Sequence, residues 1–163
     1  MKTLEKEIGR VRGFRPDDAP MIAELCRRSV EAAGPIHYSR EQVNAWLSVL
    51  PSADEILARY SDGRMTVIAV GAADRPVAFA DLEADGHIQY FYCAPEVMGG
   101  GVGTAAMSRL LSAGASLGQR SLRAEASEPA LGFFQRHGFE VLTRRDLTIG
   151  TVNIHNYAVA RSL

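Results

Sequence analysis

Residues 97–107 read Val-Met-Gly-Gly-Gly-Val-Gly-Thr-Ala-Ala-Met. Four glycines, Gly99, Gly100, Gly101 and Gly103, fall within five consecutive positions. Before them, His87 to Ala94 reads as a strand stopped by Pro95. After them, Thr104 to Leu117 reads as a helix ended by Gly118. A glycine run between a strand and a helix leaves main-chain N–H groups free at a helix N-terminus. Such groups, aided by the helix dipole, bind anions, phosphates above all.

Two phosphate-binding patterns do not fit. A P-loop needs Lys after its last glycine. Thr104 follows Gly103, and the lysines are Lys2 and Lys6 alone. A dinucleotide fingerprint, Gly-x-Gly-x-x-Gly, meets Thr104 when counted from Gly99 and Ala106 when counted from Gly101. Glu125 follows at about the 20 residues that fingerprint expects, but the motif belongs in a first strand–helix unit, and here half the chain precedes it.

The 163 residues suit one domain with a substantial core, and a composition of 47% hydrophobic and 23% charged residues is ordinary for a globular chain. A net charge of -1 offers no general attraction to nucleic acid or anionic membrane. No apolar run approaches the ~20 residues of a membrane span. Cys26 and Cys93 form no Cys-x-x-Cys pattern, and Met1 to Glu7 is charged with no apolar segment behind it. These features predict a cytoplasmic protein with reduced thiols, binding neither nucleic acid nor membrane.

The rest of the chain organises around the glycine run. Ile8, Val11 and Phe14 suggest a first strand, and Pro16-Asp17-Asp18 opens a helix that Gly34-Pro35 should stop. Ser39 with Gln42 is a capping-box pattern for a second helix carrying Val43, Trp46, Leu47 and Leu50. A short third helix runs to Tyr60. Strands follow at Thr66–Val70 and Val77–Glu83, with a hairpin signal at Asp85-Gly86. Ser121–Ala126 reads as a strand and Pro129–His137 as a helix. Two closing strands, Phe139–Ile149 and Val152–Val159, flank Gly150. This order predicts one α/β domain built on a mixed sheet.

Taken together these pieces resemble the GNAT superfamily of N-acetyltransferases. The family's acyl-CoA motif, Arg/Gln-x-x-Gly-x-Gly/Ala, is matched at Gly101 and Gly103 and departs at Met98. Ile88 to Glu96 looks like the family's fourth strand with its Pro-acid exit, and Leu122 to Ser127 like its fifth. Ala130 to Phe139 resembles its Ala-x-x-Phe/Leu-Tyr-x-x-x-Gly-Phe segment, and Arg15 to Ala19 its Arg-x-Ala-x-x-x-Asp opening. The resemblance covers nearly the whole chain. It implies a mostly antiparallel sheet splayed between the fourth and fifth strands, and acetyl-CoA as co-substrate. The pyrophosphate would lie against Met98, Gly99, Gly100, Gly101, Val102, Gly103 and Thr104. The pantetheine arm would lie beside Phe91, Tyr92 and Cys93, near Ser127 and Phe134. The acceptor would be an amine on a small molecule or peptide, and a homodimer is compatible with the family.

Acetyl transfer to an amine asks for a base, a polarised carbonyl and a fate for the thiolate. Phe134 stands where many members carry a tyrosine acid, and Ser127 where Asn is usual. His87 falls on the family's base position, although it also follows a turn where exposed histidines are common. Tyr157 is the leading substitute acid, with Tyr92 as another option and packing as the alternative role of each. Cys93 reads as a small buried residue. Tyr38 is a candidate for the acceptor pocket, Trp46 for the core, and Glu83 or Glu125 could meet a cationic amine.

Overall fold

A computed structural model describes residues 10–163; Ile8 and the Met1–Glu7 segment lie outside the described residues. The elements are β1 (Arg10–Arg12), α1 (Ala19–His37), α2 (Arg40–Ser48), α3 (Ala53–Tyr60), β2 (Met65–Val70), β3 (Pro76–Leu82), β4 (His87–Ile88), β5 (Phe91–Cys93), α4 (Val102–Ser116), β6 (Ser121–Ala126), α5 (Glu128–Arg136), β7 (Glu140–Ile149) and β8 (Val152–Ser162). Among the described residues two four-stranded sheets form, in the orders β1-β2-β3-β5 and β4-β6-β8-β7. Every pairing is antiparallel except β4 with β6. Among the described residues no helix is long and apolar enough to cross a membrane.

Alternation along β2 explains its unbroken apolar run. Val67 joins a core under α4 with Ala80, Met107 and Leu110, while Ile68 and Val70 join a second core with Ile22 and Leu25 of α1 and Ile56 of α3. Both faces of the strand are covered, so neither face needs polar residues. The Arg15–Asp18 opening is structural. Asp18 is buried, accepts two hydrogen bonds from Arg12 at 2.7 and 2.9 Å, and caps the Arg15 N–H at 2.8 Å.

Two expectations are corrected. α1 continues through Gly34-Pro35 to His37. Pro35 lies in the last turn, where its missing N–H removes a bond only at the helix end. Gly34 permits close helix contact: a Cβ there would sit 3.1 Å from Val43 Cγ2 of α2. The strand read as His87–Ala94 is broken into β4 and β5 by a one-residue bulge. Glu83 N–H bonds to His87 C=O (2.8 Å), whereas two residues earlier Asp81 N–H bonds to Tyr90 C=O (3.2 Å), three residues on. The fully buried Asp81 carboxylate holds the bulge, accepting the N–H groups of Gln89 (2.8 Å) and Tyr90 (2.9 Å) through one oxygen and Arg64 (3.1 Å) through the other.

Candidate active site

The bulge opens the sheet. β4 runs beside β6, but β5 stays on β3 and leaves β6 behind. Tyr90 C=O and Ala94 N–H bond to β3, so by alternation the main chain of Phe91 and Cys93 points the other way, into the gap. A cleft of about 480 Å³ occupies this gap. Phe91, Tyr92 and Cys93 form one wall, and Ser127, Ala130 and Phe133 face them from the α5 side.

Met98, Gly99, Gly101, Gly103 and Thr104 close one end of that cleft. The first intrahelical bond of α4 runs from Ala105 N–H to Gly101 C=O at 3.0 Å, so the N–H groups of Val102, Gly103 and Thr104 have no partner within the helix. Gly99 and Gly101 adopt φ of +78° and +88°, and a Cβ built on either would meet nothing within 4 Å. That combination is a backbone cradle open toward the cleft, and it suits a phosphate. Three members of the run have other contacts as well. Gly100 N–H is taken by Val97 C=O at 3.1 Å, and Gly100 does not line the cleft. The Val102 side chain is buried against Ala69 and Ala78. Gly103 is also a packing glycine, since a Cβ there would stand 3.1 Å from Phe133 Cε2. Arg136, which no motif singled out, adds a cationic side chain to the same cleft.

A smaller cleft of about 150 Å³ lies toward the β7–β8 hairpin. Ile88, Leu147, Ile149 and Ile154 supply apolar wall, and Gln89, Glu125, His155 and Asn156 supply polar groups. The two clefts share Trp46, Phe91, Tyr92, Ser127 and Ala130. Phe134 lines the smaller cleft and not the larger; its ring packs edge-on against Phe91, Phe133 and Phe139, which fixes it as part of the wall. Burial pushes the Cys93 thiol up to about 11, so Cys93 is a neutral wall residue at physiological pH.

His87 lines neither cleft. Its Nδ1 meets Glu83 Oε1 at 2.7 Å and its Nε2 meets Glu125 Oε2 at 2.6 Å. Burial works against its charge, but the hydrogen bonds to Glu125 and Glu83 outweigh it and raise the imidazole above its ordinary value. Each ring nitrogen faces a carboxylate oxygen, so neither is open to a substrate amine. Glu125, whose other oxygen lies 3.9 Å from Arg145, is the member of this group that reaches the smaller cleft.

Tyr157 also lies outside both linings. Its hydroxyl donates to Glu128 Oε1 at 2.6 Å, and that bond raises its pKa above the ordinary phenol value. The same oxygen receives His155 Nε2 at 2.6 Å. Hydrogen bonds from Tyr157 and His155 hold the Glu128 carboxyl below its usual range. Tyr38 is buried and borders the smaller cleft, but its hydroxyl is committed. It accepts Glu128 N–H and donates to His155 C=O, both at 2.9 Å.

The acetyltransferase (GNAT) domain matches residues 35–157. The N-acetyltransferase YafP of Escherichia coli (strain K12) is 26% identical over 136 residues, which is 83% of each chain. The structure of a GCN5-related N-acetyltransferase from Rhodopseudomonas palustris superposes with a TM-score of 0.87 at 31% identity, covering 95% of this chain and 96% of that one. The PaiA N-acetyltransferase of Thermoplasma acidophilum, solved in complex with coenzyme A, has the same fold with a TM-score of 0.75 at 17% identity, covering 94% and 98%. The chain belongs to the GNAT family of N-acetyltransferases.

Proposed function

We propose that this acetyltransferase binds acetyl-CoA in the larger cleft and transfers the acetyl group directly to a small primary amine in the smaller one. The observation that carries the reading is the junction of the two clefts at Trp46, Phe91, Tyr92, Ser127 and Ala130, where the sheet opens. Acetyl-CoA supplies an activated thioester at that point. The N–H groups of Val102, Gly103 and Thr104 would hold its pyrophosphate, with Arg136 adding charge, and the exposed main chain of Phe91 and Cys93 would bond its pantetheine arm as an added strand does. A strand N–H directed into the gap suits polarisation of the thioester carbonyl.

With Tyr157 bound to Glu128, Tyr92 is the phenol at the junction. Burial raises its pKa above the ordinary value, so it stays protonated and its hydroxyl can hydrogen-bond a departing thiolate. His87 serves as an imidazolium that fixes Glu83 and Glu125. The whole chain works as one domain, in the cytoplasm. Phe134, which cannot donate a proton, favours a second reading as a non-catalytic acyl-CoA-binding module. Isothermal titration with acetyl-CoA, desulfo-CoA and NAD, followed by a turnover screen across primary amines, tests both. Micromolar acetyl-CoA binding with release of free thiol is expected. Binding without any turnover favours the module, and absence of binding refutes both readings.

A further inference from the structure

Resting on that reading, we propose that His155 is the general base that takes the proton from the acceptor amine, oriented for the task by Glu128, Tyr38 and Tyr157. His155 lines the smaller cleft. Its Nε2 donates to Glu128 Oε1 at 2.6 Å, which sets the tautomer and leaves Nδ1 with a lone pair. Among the described residues nothing hydrogen-bonds to Nδ1.

Tyr38 and Tyr157 hold this dyad in place. The Tyr38 hydroxyl bridges the backbones of both members, receiving Glu128 N–H and donating to His155 C=O. Tyr157 donates to the oxygen that His155 uses, so Glu128 stays ionised and its rotamer is fixed. The His155 ring packs against Tyr38 and Tyr157 at centroid distances of 5.6 and 5.7 Å. Glu128 opens α5 directly after Ser127, which borders both clefts, so the dyad stands beside the junction. Other charged groups on this side are Glu125, which lines the smaller cleft with Arg145 beside it, and Arg144 and Asp146 of β7, which border the outer groove that His155 also touches.

This arrangement balances the reaction. The amine nitrogen forms a bond to the acetyl carbon and the carbon–sulfur bond breaks. The amine proton passes to His155 Nδ1 and from there to solvent, and the sulfur leaves as a thiolate that takes up one proton, either from solvent or from Tyr92, whose proton solvent then restores. Glu128 stabilises the imidazolium that forms and is not itself protonated.

The test uses the full chain with a panel of primary amines from ethylamine to tryptamine. His155→Gln and His155→Ala should lower kcat by ~10²-fold or more with acetyl-CoA affinity unchanged in calorimetry, and added imidazole should partly restore His155→Ala. Glu128→Ala should lower kcat with little change in KM for acetyl-CoA. In the ligand-free protein, ¹⁵N NMR should show Nε2 protonated and Nδ1 bare, and Glu128→Ala should scramble that tautomer. Wild-type turnover that His155→Gln retains overturns the assignment alone. A wild type that binds acetyl-CoA yet turns over none of the panel overturns the acetyl-transfer reading and the assignment together. An Nδ1-protonated ring in the wild type also overturns the assignment.

Discussion

Gly101→Asp separates the stability of the fold from the binding of phosphate. Gly101 has φ +88° with no neighbour within 4 Å of its Cβ position, so a side chain there meets no clash. The strain of the left-handed backbone is about 1–2 kcal/mol. An aspartate at the N-terminus of α4 recovers up to about 1 kcal/mol from the helix dipole. The net loss is about 2 kcal/mol at most, which lowers Tm by less than about 8 °C for a chain of this size. Gly101→Ala recovers nothing and should be the less stable of the two. Binding moves the opposite way. A carboxylate in the cradle repels a pyrophosphate and competes for the N–H groups of Val102, Gly103 and Thr104. Losing two charge-assisted hydrogen bonds costs about 3–6 kcal/mol, or more than a hundredfold in Kd. Scanning calorimetry and acetyl-CoA titration on wild type, Gly101→Ala and Gly101→Asp read both quantities. A folded Gly101→Asp that binds acetyl-CoA within fivefold of wild type refutes the cradle.

Three further outcomes follow from the same contacts. Asp81→Ala strands the Gln89 and Tyr90 amides and part of Arg64, so urea unfolding should show a loss of about 3–5 kcal/mol, with a smaller loss for Asp81→Asn, whose carbonyl can still accept the amides; equal stability in all three proteins refutes the role given to Asp81. The raised pKa of His87 contributes stability that is full below pH ~6.5 and is lost as pH rises through the folded-state value, so Tm should fall over that window in wild type and stay flat in His87→Ala. With its thiol near 11, Cys93 should react with iodoacetamide at pH 8 roughly a hundredfold more slowly than an exposed cysteine, as followed by mass spectrometry.

What the sequence disclosed and what it hid divide along a physical line. Local signals read correctly. Ser39 accepts Gln42 N–H and Gln42 returns the bond, as the spacing of a capping box requires. β6 covers the expected residues, because its small apolar and charged residues alternate without interruption. The glycine run sits at a helix N-terminus, though only part of it faces a cleft. Misreadings arose where a residue answers to a distant partner. Gly34 looked like a helix stop, but Val43 of the next helix demands its small size. The bulge within His87–Ala94 was hidden because its cause, Asp81, lies in another strand; the available signal was a lone carboxylate inside the apolar run Ala78–Leu82.

The polar network was the least legible part of the site, and the reason lies in how it is assembled. Glu128 reads as an acid in the first turn of a helix, which the dipole alone would justify. His155 and Tyr157 share a face of β8 by alternation, yet nothing in their spacing selects Glu128, 27 and 29 residues away. The sheet brings them together. Antiparallel pairing sets Ala126 opposite Tyr157, and α5 then starts two residues beyond Ala126. A strand register therefore fixes where the carboxylate of Glu128 falls, and the Tyr38 hydroxyl ties the same two backbones from the end of α1. Tyr38, Glu128, His155 and Tyr157 thus depend on one register, and a slip of one residue between β6 and β8 would turn His155 and Tyr157 to the opposite face. Any test of the network that leaves this register intact, as the conservative variants do, reads the chemistry of the dyad and not the integrity of the sheet.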